Sequence, residues 1–197
     1  MKFIRKYGIG FAFVGFLTIS IAIGIVAGKS CVRTELKFVE VVVEKPVEVL
    51  VEVEPERAYF DVPLSQEVQD VVFDECEKHD IDPALVIAII ERESSFTANA
   101  VNGAGTTFGL MQIKKDRHEN RMKKLNCTDL FNPVQNVKVG IDYLAEMKNQ
   151  DKGILWTLMA YNGGWGYAND KTEQGVVSNY ATSVLARAYE IEEELKC

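Results

Sequence analysis

The sequence predicts an all-α domain over residues 64–197, set behind an uncharged N-terminal segment and an extended spacer. Three observations carry this. Beyond Leu64 the apolar residues recur at helical rather than alternating spacing. Helix-opening residues stand immediately before those runs, at Ser65, Asp82-Pro83 and Asn132-Pro133. No stretch past residue 64 alternates polar and apolar side chains for long enough to read as a strand.

The elements follow in order. Residues 8–28, GIGFAFVGFLTISIAIGIVAG, hold no charged side chain. As a helix they would be about 31 Å long, enough to cross a bilayer core. Lys2, Arg5 and Lys6 precede them, so the positive-inside rule puts residues 1–7 in the cytoplasm and all that follows outside. The expectation is a single-pass cell-membrane anchor; a signal peptide cleaved after Ala27, releasing a secreted domain, is the alternative. Residues 29–63 include LKFVEVVVEKPVEVLVEVEPE, in which Val alternates with Glu and Pro46 and Pro55 interrupt. That pattern favours an extended spacer. Ser65 then caps a helix through Val68, Val71, Val72 and Glu75, and Asp82-Pro83 opens PALVIAIIERESSF. Asn132-Pro133 opens a helix with Val134, Val137, Ile141 and Leu144 on one face. ILWTLMA from Ile154 reads as a buried helix ended by Gly163-Gly164, and Ser178 to Leu195 forms the last one.

Charge and cysteine content narrow the function. The 197 residues carry 29 acidic and 22 basic side chains, for a net charge of -7. Residues 64–197 hold 21 of the acidic and 14 of the basic ones, so the whole imbalance belongs to this domain. An acidic domain lacks the footprint that nucleic-acid binding needs. Cys31, Cys76, Cys127 and Cys197 form no paired zinc motif, and there are two His. No nucleotide fingerprint is present, so no cofactor and no metal are expected. In an exported domain disulfides are permitted, and Cys76 with Cys127 is the first pair to test, among three possible connectivities.

One carboxyl stands out. Leu85, Ile89 and Glu93 fall at i, i+4 and i+8, so Glu93 prolongs a buried apolar stripe, with Phe96 a turn further on. Burial penalises the carboxylate and holds the proton on, which suits a general acid acting on a poor leaving group. On the pattern alone, Glu93 reads rather as a residue that ends a helix at the surface and does nothing. Glu91 lies about 200° round the helix and cannot share that face.

The residues downstream decide the reading. ERESSF is followed by Phe108-Gly109-Leu110-Met111-Gln112-Ile113, then NPVQNVKVGIDYL, then Ala160-Tyr161-Asn162-Gly163-Gly164, then Asn179-Tyr180. This ordered set, over about residues 66–190, resembles the soluble lytic transglycosylase (SLT) family, which is related to goose-type lysozymes. The resemblance implies a lysozyme-like α fold that cuts the glycan of peptidoglycan between N-acetylmuramic acid and N-acetylglucosamine. It implies that Glu93 is the catalytic acid with Ser94 its partner, and that Gly109, Leu110, Met111 and Gln112 line the sugar groove. Tyr161 and Asn162 would face the cleft, and Tyr180 would approach the catalytic carboxyl. Such a groove suits aromatic stacking and fixed amide or hydroxyl hydrogen bonds. Met111 is as readily plain core packing, whereas Tyr161 at a helix end before two glycines would otherwise expose an aromatic ring.

Two departures from the family pattern fall beside the groove. The stretch between Phe96 and Gly109 is about one residue longer, with Asn102 where Ser is frequent, and KKDRHENRMKK replaces a Pro-containing turn. Lys114, Lys115, Arg117, Arg121, Lys123 and Lys124 against Asp116 and Glu119 make that run locally basic. It reads as a solvated face, or as a holder of anionic wall polymers or stem-peptide carboxylates.

Hydrolytic glycosidases use two carboxylates, and the motif supplies one. The expected reaction is therefore lytic, giving a 1,6-anhydro-muramic acid product. The alternatives are a hydrolytic muramidase with Asp116, Glu119 or Asp129 as second acid, and a non-catalytic module that binds the wall or anchors an assembly.

Overall fold

The computed structural model of the chain describes residues 4–6, 50–52 and 57–194. The segment read as a membrane anchor, residues 8–28, lies outside the described residues, as do most of the spacer, Cys31 and Cys197. Among the described residues no helix is long and apolar enough to cross a membrane. In the N-terminal unit, β1 (Ile4–Lys6) pairs antiparallel with β2 (Leu50–Glu52).

The second unit begins at Ala58 rather than at Leu64. The earlier start comes from one glutamine. Gln69 accepts from the Phe60 amide at 2.9 Å and donates to the carbonyls of Phe60 and Leu64. Phe60 is thereby buried, stacked on Phe73 at 5.5 Å. Spacer-like composition before Leu64 gave no sign of this docking.

Among the described residues six helices follow: α1 (Gln66–His79), α2 (Pro83–Ser94), α3 (Lys115–Lys124), α4 (Pro133–Lys148), α5 (Ile154–Glu173) and α6 (Asn179–Glu194). The expected caps form as drawn. Ser65 accepts from the Val68 amide, Asp82 from that of Ala84, and Asn132 from that of Gln135. The all-α reading is qualified by one small sheet, because β3 (Thr107–Phe108) and β4 (Ile113–Lys114) form a hairpin. Two residues per strand are too few to leave an alternating signal in the sequence.

Helix α2 is the centre of the core. Val86, Ile87, Ile89 and Ile90 have no solvent exposure. Its β-branched residues are mediocre helix formers, so the helix is held by burial on every side rather than by propensity. Helix α6 packs along it, α1 packs on α4, and α5 bridges α4 and α6. Helix α5 breaks at Gly164, whose φ of 84° lies in the left-handed region. The helix thus ends where Gly163-Gly164 was expected to end it, and a further helical stretch resumes to Glu173. Cys76 and Cys127, the first pair to test, are both buried as free thiols. Burial pushes the Cys76 thiol up to about 12, so it is inert as a nucleophile.

The β3–β4 hairpin is fixed by a residue of α4. Asn136 has no solvent exposure. Its Oδ1 accepts from the Met111 amide at 2.8 Å, and its Nδ2 donates to the carbonyls of Phe108 and Leu130, each at 2.8 Å. Gly109 permits this approach, since a Cβ there would lie 2.2 Å from Asn136 Nδ2. Replacing Asn136 by Ala leaves one buried N–H and two carbonyls unpaired. We expect Asn136→Ala to cost about 3 kcal/mol and to lower the thermal midpoint by about 10 °C, as followed by far-UV circular dichroism.

Candidate active site

A cleft of about 820 Å³ opens where the end of α2, the β3–β4 hairpin, α3, α4 and the break in α5 meet. Glu93 enters it from the last turn of α2. The chain turns away at once, with Ser95 and Phe96 at φ 47° and 62°. Two successive non-glycine residues in the left-handed region are uncommon and carry local strain. They leave the Glu93 carboxyl at the edge of the core, half-buried.

Tyr180 of α6 completes this carboxyl. Its hydroxyl donates to Glu93 Oε1 at 2.7 Å. Burial, and then the nearby Glu93 charge, push the phenol far above its ordinary range, so it acts only as a neutral donor. Burial likewise raises the Glu93 carboxyl above its ordinary 4.5, against the opposing pull of the Tyr180 hydrogen bond and of Arg92. Glu91, on the other face as expected, is paired instead with Arg187 of α6 at 2.8 Å.

The remaining residues expected in the groove divide. Gln112 and Asn162 line the cleft. Gln112 is committed within the hairpin: its amide donates to the Gly109 and Ala100 carbonyls, and its Oε1 accepts from the Thr107 hydroxyl at 2.7 Å. Asn162 is exposed, and its side chain bonds to no described residue. Leu110 and Met111, at 1% exposure each, lie in the core and offer no side-chain surface to a ligand. Their apolar side chains turn inward because Asn136 holds the loop backbone on α4, and Met111 packs against Gly140. Gly109 serves as the turn. Ser94 donates to the Ile90 carbonyl at 3.1 Å and is not part of the cleft wall. Tyr161 reaches the cleft but is buried, so the reasoning that the helix end exposes its ring does not hold. Its hydroxyl donates to the Met111 carbonyl at 2.9 Å, and its ring lies 5.2 Å from that of Tyr143.

Several further residues line the cleft, of which Tyr143, Glu146 and His118 had not been singled out as functional. Helix α4 contributes Tyr143 and Glu146, three residues apart and so on one face. Helix α3 contributes Arg117, His118 and Arg121, part of the run read as a solvated face or as a holder of anionic wall polymers or stem-peptide carboxylates. Arg121 bonds Asp142 at 2.6 Å and pairs with Glu146. Its Nη1 lies 2.7 Å from His118 Nδ1. The amphipathic spacing of His118 and Met122, both buried, was the available sign that this run is a packed helix. Asn102 lines the cleft as well and closes its own loop by accepting from the Thr106 amide at 2.7 Å. Asp116, Glu119 and Asp129 are not among the cleft residues, so the second acids weighed from the sequence are misplaced for that role. Glu146 is the other carboxyl there among the described residues, and Arg121 holds it.

The raised Glu93 carboxyl has a stability consequence. Its folded-state value lies above the ordinary one, so the fold binds the proton more tightly than the unfolded chain does. Its contribution is fully present below pH 4.5 and is lost as pH rises through the folded value. Glu93→Gln keeps a neutral acceptor for Tyr180 and removes the titration. The variant should therefore melt at a higher temperature than wild type at pH 7, with the gap closing below pH 4.5, as read by calorimetry across pH.

Comparison with known proteins places this geometry in a family. The transglycosylase SLT domain model matches residues 70–182. The chain is 34% identical over 116 residues to a membrane-bound lytic murein transglycosylase C of Serratia proteamaculans (strain 568), covering 49% of this chain and 32% of that protein. It is 32% identical over 92 residues to a transglycosylase of Enterobacteria phage PRD1, covering 47% and 33%. The chain thus spans about a third of the length of these curated relatives. Among solved structures, an inactive variant of the lytic transglycosylase Slt of Pseudomonas aeruginosa matches with a TM-score of 0.56 at 22% identity, over 68% of this chain and 25% of that one. The 70 kDa soluble lytic transglycosylase of Escherichia coli matches with a TM-score of 0.54 at 21% identity, over 64% and 24%. At that identity the structures speak to the fold, which is the mostly helical, lysozyme-like one. With the family model spanning more than half of it, this chain belongs to the transglycosylase SLT domain family.

Proposed function

We propose that the chain is a peptidoglycan lytic transglycosylase, cleaving the β-1,4 bond between N-acetylmuramic acid and N-acetylglucosamine with Glu93 as acid and then base. One observation carries the reading. Burial pushes the Glu93 carboxyl toward its protonated form, Tyr180 aims it, and it faces a cleft whose other carboxyl among the described residues is held by Arg121. Among the described residues no second unpaired carboxylate lines the cleft to activate water, as direct hydrolysis requires. The printed names of the curated relatives support the same activity.

Glu93 first gives its proton to the glycosidic oxygen, and the bond to the muramic acid anomeric carbon breaks. The carboxylate so formed keeps the Tyr180 hydrogen bond, which stabilises its charge. The sugar's own N-acetyl oxygen shields the positive anomeric carbon. Glu93 then takes the proton from the muramic acid 6-hydroxyl, whose oxygen closes on that carbon as a 1,6-anhydro ring. No water is consumed, and Glu93 returns to its starting state. Asn162 is one cleft side chain with no partner among the described residues, and Gln112 lines the same cleft.

Placement at the cell membrane belongs to the same proposal. It rests on the uncharged residues 8–28 behind Lys2, Arg5 and Lys6, and on the membrane-bound relative. A single crossing there sets residues 4–6 and 50–52 on opposite sides of the bilayer, so it and the β1–β2 pairing are alternatives. We expect the full chain to stay with membranes through an alkaline carbonate wash, and removal of residues 1–28 to release it.

Mass spectrometry of products from purified peptidoglycan tests the activity. The expected muropeptides lack one water relative to hydrolysed ones, and Glu93→Gln should slow their release by at least about 1,000-fold. Products that retain the water would assign a hydrolytic muramidase instead. A wild-type chain that binds the polymer without cutting it would make this a binding module.

A further inference from the structure

Helix α3 turns an unusual face to the cleft. Lys114, the N-cap at the end of β4, is followed by Arg117, His118 and Arg121 at i+3, i+4 and i+7, the spacing at which a packed helix carries its apolar stripe. All four line the cleft, and every one presents nitrogen. The domain around them is acidic, so this wall opposes the overall balance.

The four divide by what they already hold. Arg121 is spent on Asp142, on Glu146 and on His118 Nδ1. A guanidinium only donates, so His118 Nδ1 accepts and the ring proton sits on Nε2. Burial and then the Arg121 charge push His118 down to about 4, which keeps the imidazole neutral at physiological pH. The ring is fixed further by Tyr143, with centroids 4.5 Å apart. Its Nε2–H meets no acceptor among the described residues, nor do the side chains of Lys114 and Arg117.

Three donors with no acceptor among them suit a group that only accepts, and the two uncompensated cations ask for negative charge. We propose that Lys114, Arg117 and the Nε2–H of His118 form a carboxylate-binding subsite that selects acidic ligands for the cleft. It rests on the peptidoglycan reading above, whose glycan offers carboxylates from two sources: the stem peptide, or the lactyl group freed when the peptide is removed. Arg121, with Asp142 and Glu146 behind it, is the positioning residue that locks the His118 tautomer.

Calorimetric binding to the full chain carrying Glu93→Gln, in detergent, tests this with four ligands. They are a stem-bearing N-acetylglucosamine–N-acetylmuramic acid fragment, the same fragment with its stem carboxylates amidated, the peptide-free fragment with a lactyl carboxylate, and a neutral N-acetylglucosamine oligomer. The carboxylate-bearing ligands should bind tighter than the neutral oligomer, and the amidated and peptide-free arms identify which carboxylate is held. Adding Lys114→Gln and Arg117→Gln together should weaken the acidic ligands by about tenfold, and added salt should do likewise. Lys171→Gln, outside the cleft, should change nothing. His118→Gln, whose amide nitrogen reaches as far as Nε2, should retain affinity that His118→Asn loses. Equal affinity for acidic and neutral ligands overturns the subsite, as does an equal loss in Lys171→Gln. Equal losses in the two His118 variants remove His118 from it. A chain that binds none of the four overturns the peptidoglycan reading as well.

Discussion

A single amide organises this domain. Asn136, sealed beneath the surface of α4, spends both donor hydrogens and its acceptor oxygen on backbone groups of the hairpin and of the turn before α4. The hairpin is too short to hold itself, since two residues per strand give little pairing energy. Once Asn136 fixes it, the Met111 carbonyl is in place for the Tyr161 hydroxyl, and that bond ties the end of α5's first stretch to the loop. Three segments far apart in the chain therefore share one anchor, and the cleft floor is where they meet.

Electrostatically the cleft departs from the domain that holds it. The surface is acidic, yet the carboxyl in the cleft that no cation pairs with among the described residues is the one burial pushes toward its protonated form. The α3 wall is basic, and part of that charge is already cancelled by α4. The result separates two tasks. Glu93 sits in an environment that favours its neutral form, while charge is concentrated on the opposing wall. Placing both on one side would have drawn the Glu93 proton off, since a neighbouring cation favours the carboxylate.

Much of this was legible in the sequence, for physical reasons. Helix starts announce themselves through short polar side chains and proline, so Ser65, Asp82 and Asn132 were readable as caps, and α2 by its unbroken apolar run. Glu93 was readable because helical spacing carried it onto a buried stripe. The GLMQ block was readable as a motif but not as geometry: nothing local says that Leu110 and Met111 turn inward, which follows from Asn136, 25 residues on. The α3 run was opaque for a similar reason. Its charges look solvated until the carboxyls of α4 are brought opposite, and Asp142 and Glu146 could be matched to Arg121 only in three dimensions. The start at Ala58 was hidden because Gln69 binds backbone, which has no sequence signature.

The pairing of α2 with α6 also bears on timing. Glu93 meets Tyr180 across 87 residues, and Glu91 meets Arg187 across 96. Such contacts close late, after the loop between them has been ordered. A chain emerging from its N-terminus presents α2 well before α6 exists to receive it. Until that last helix docks, the carboxyl lacks its phenol and the full burial that raises it. A product truncated before Tyr180 would carry Glu93 without the phenol that bonds it and without the helix that packs along α2.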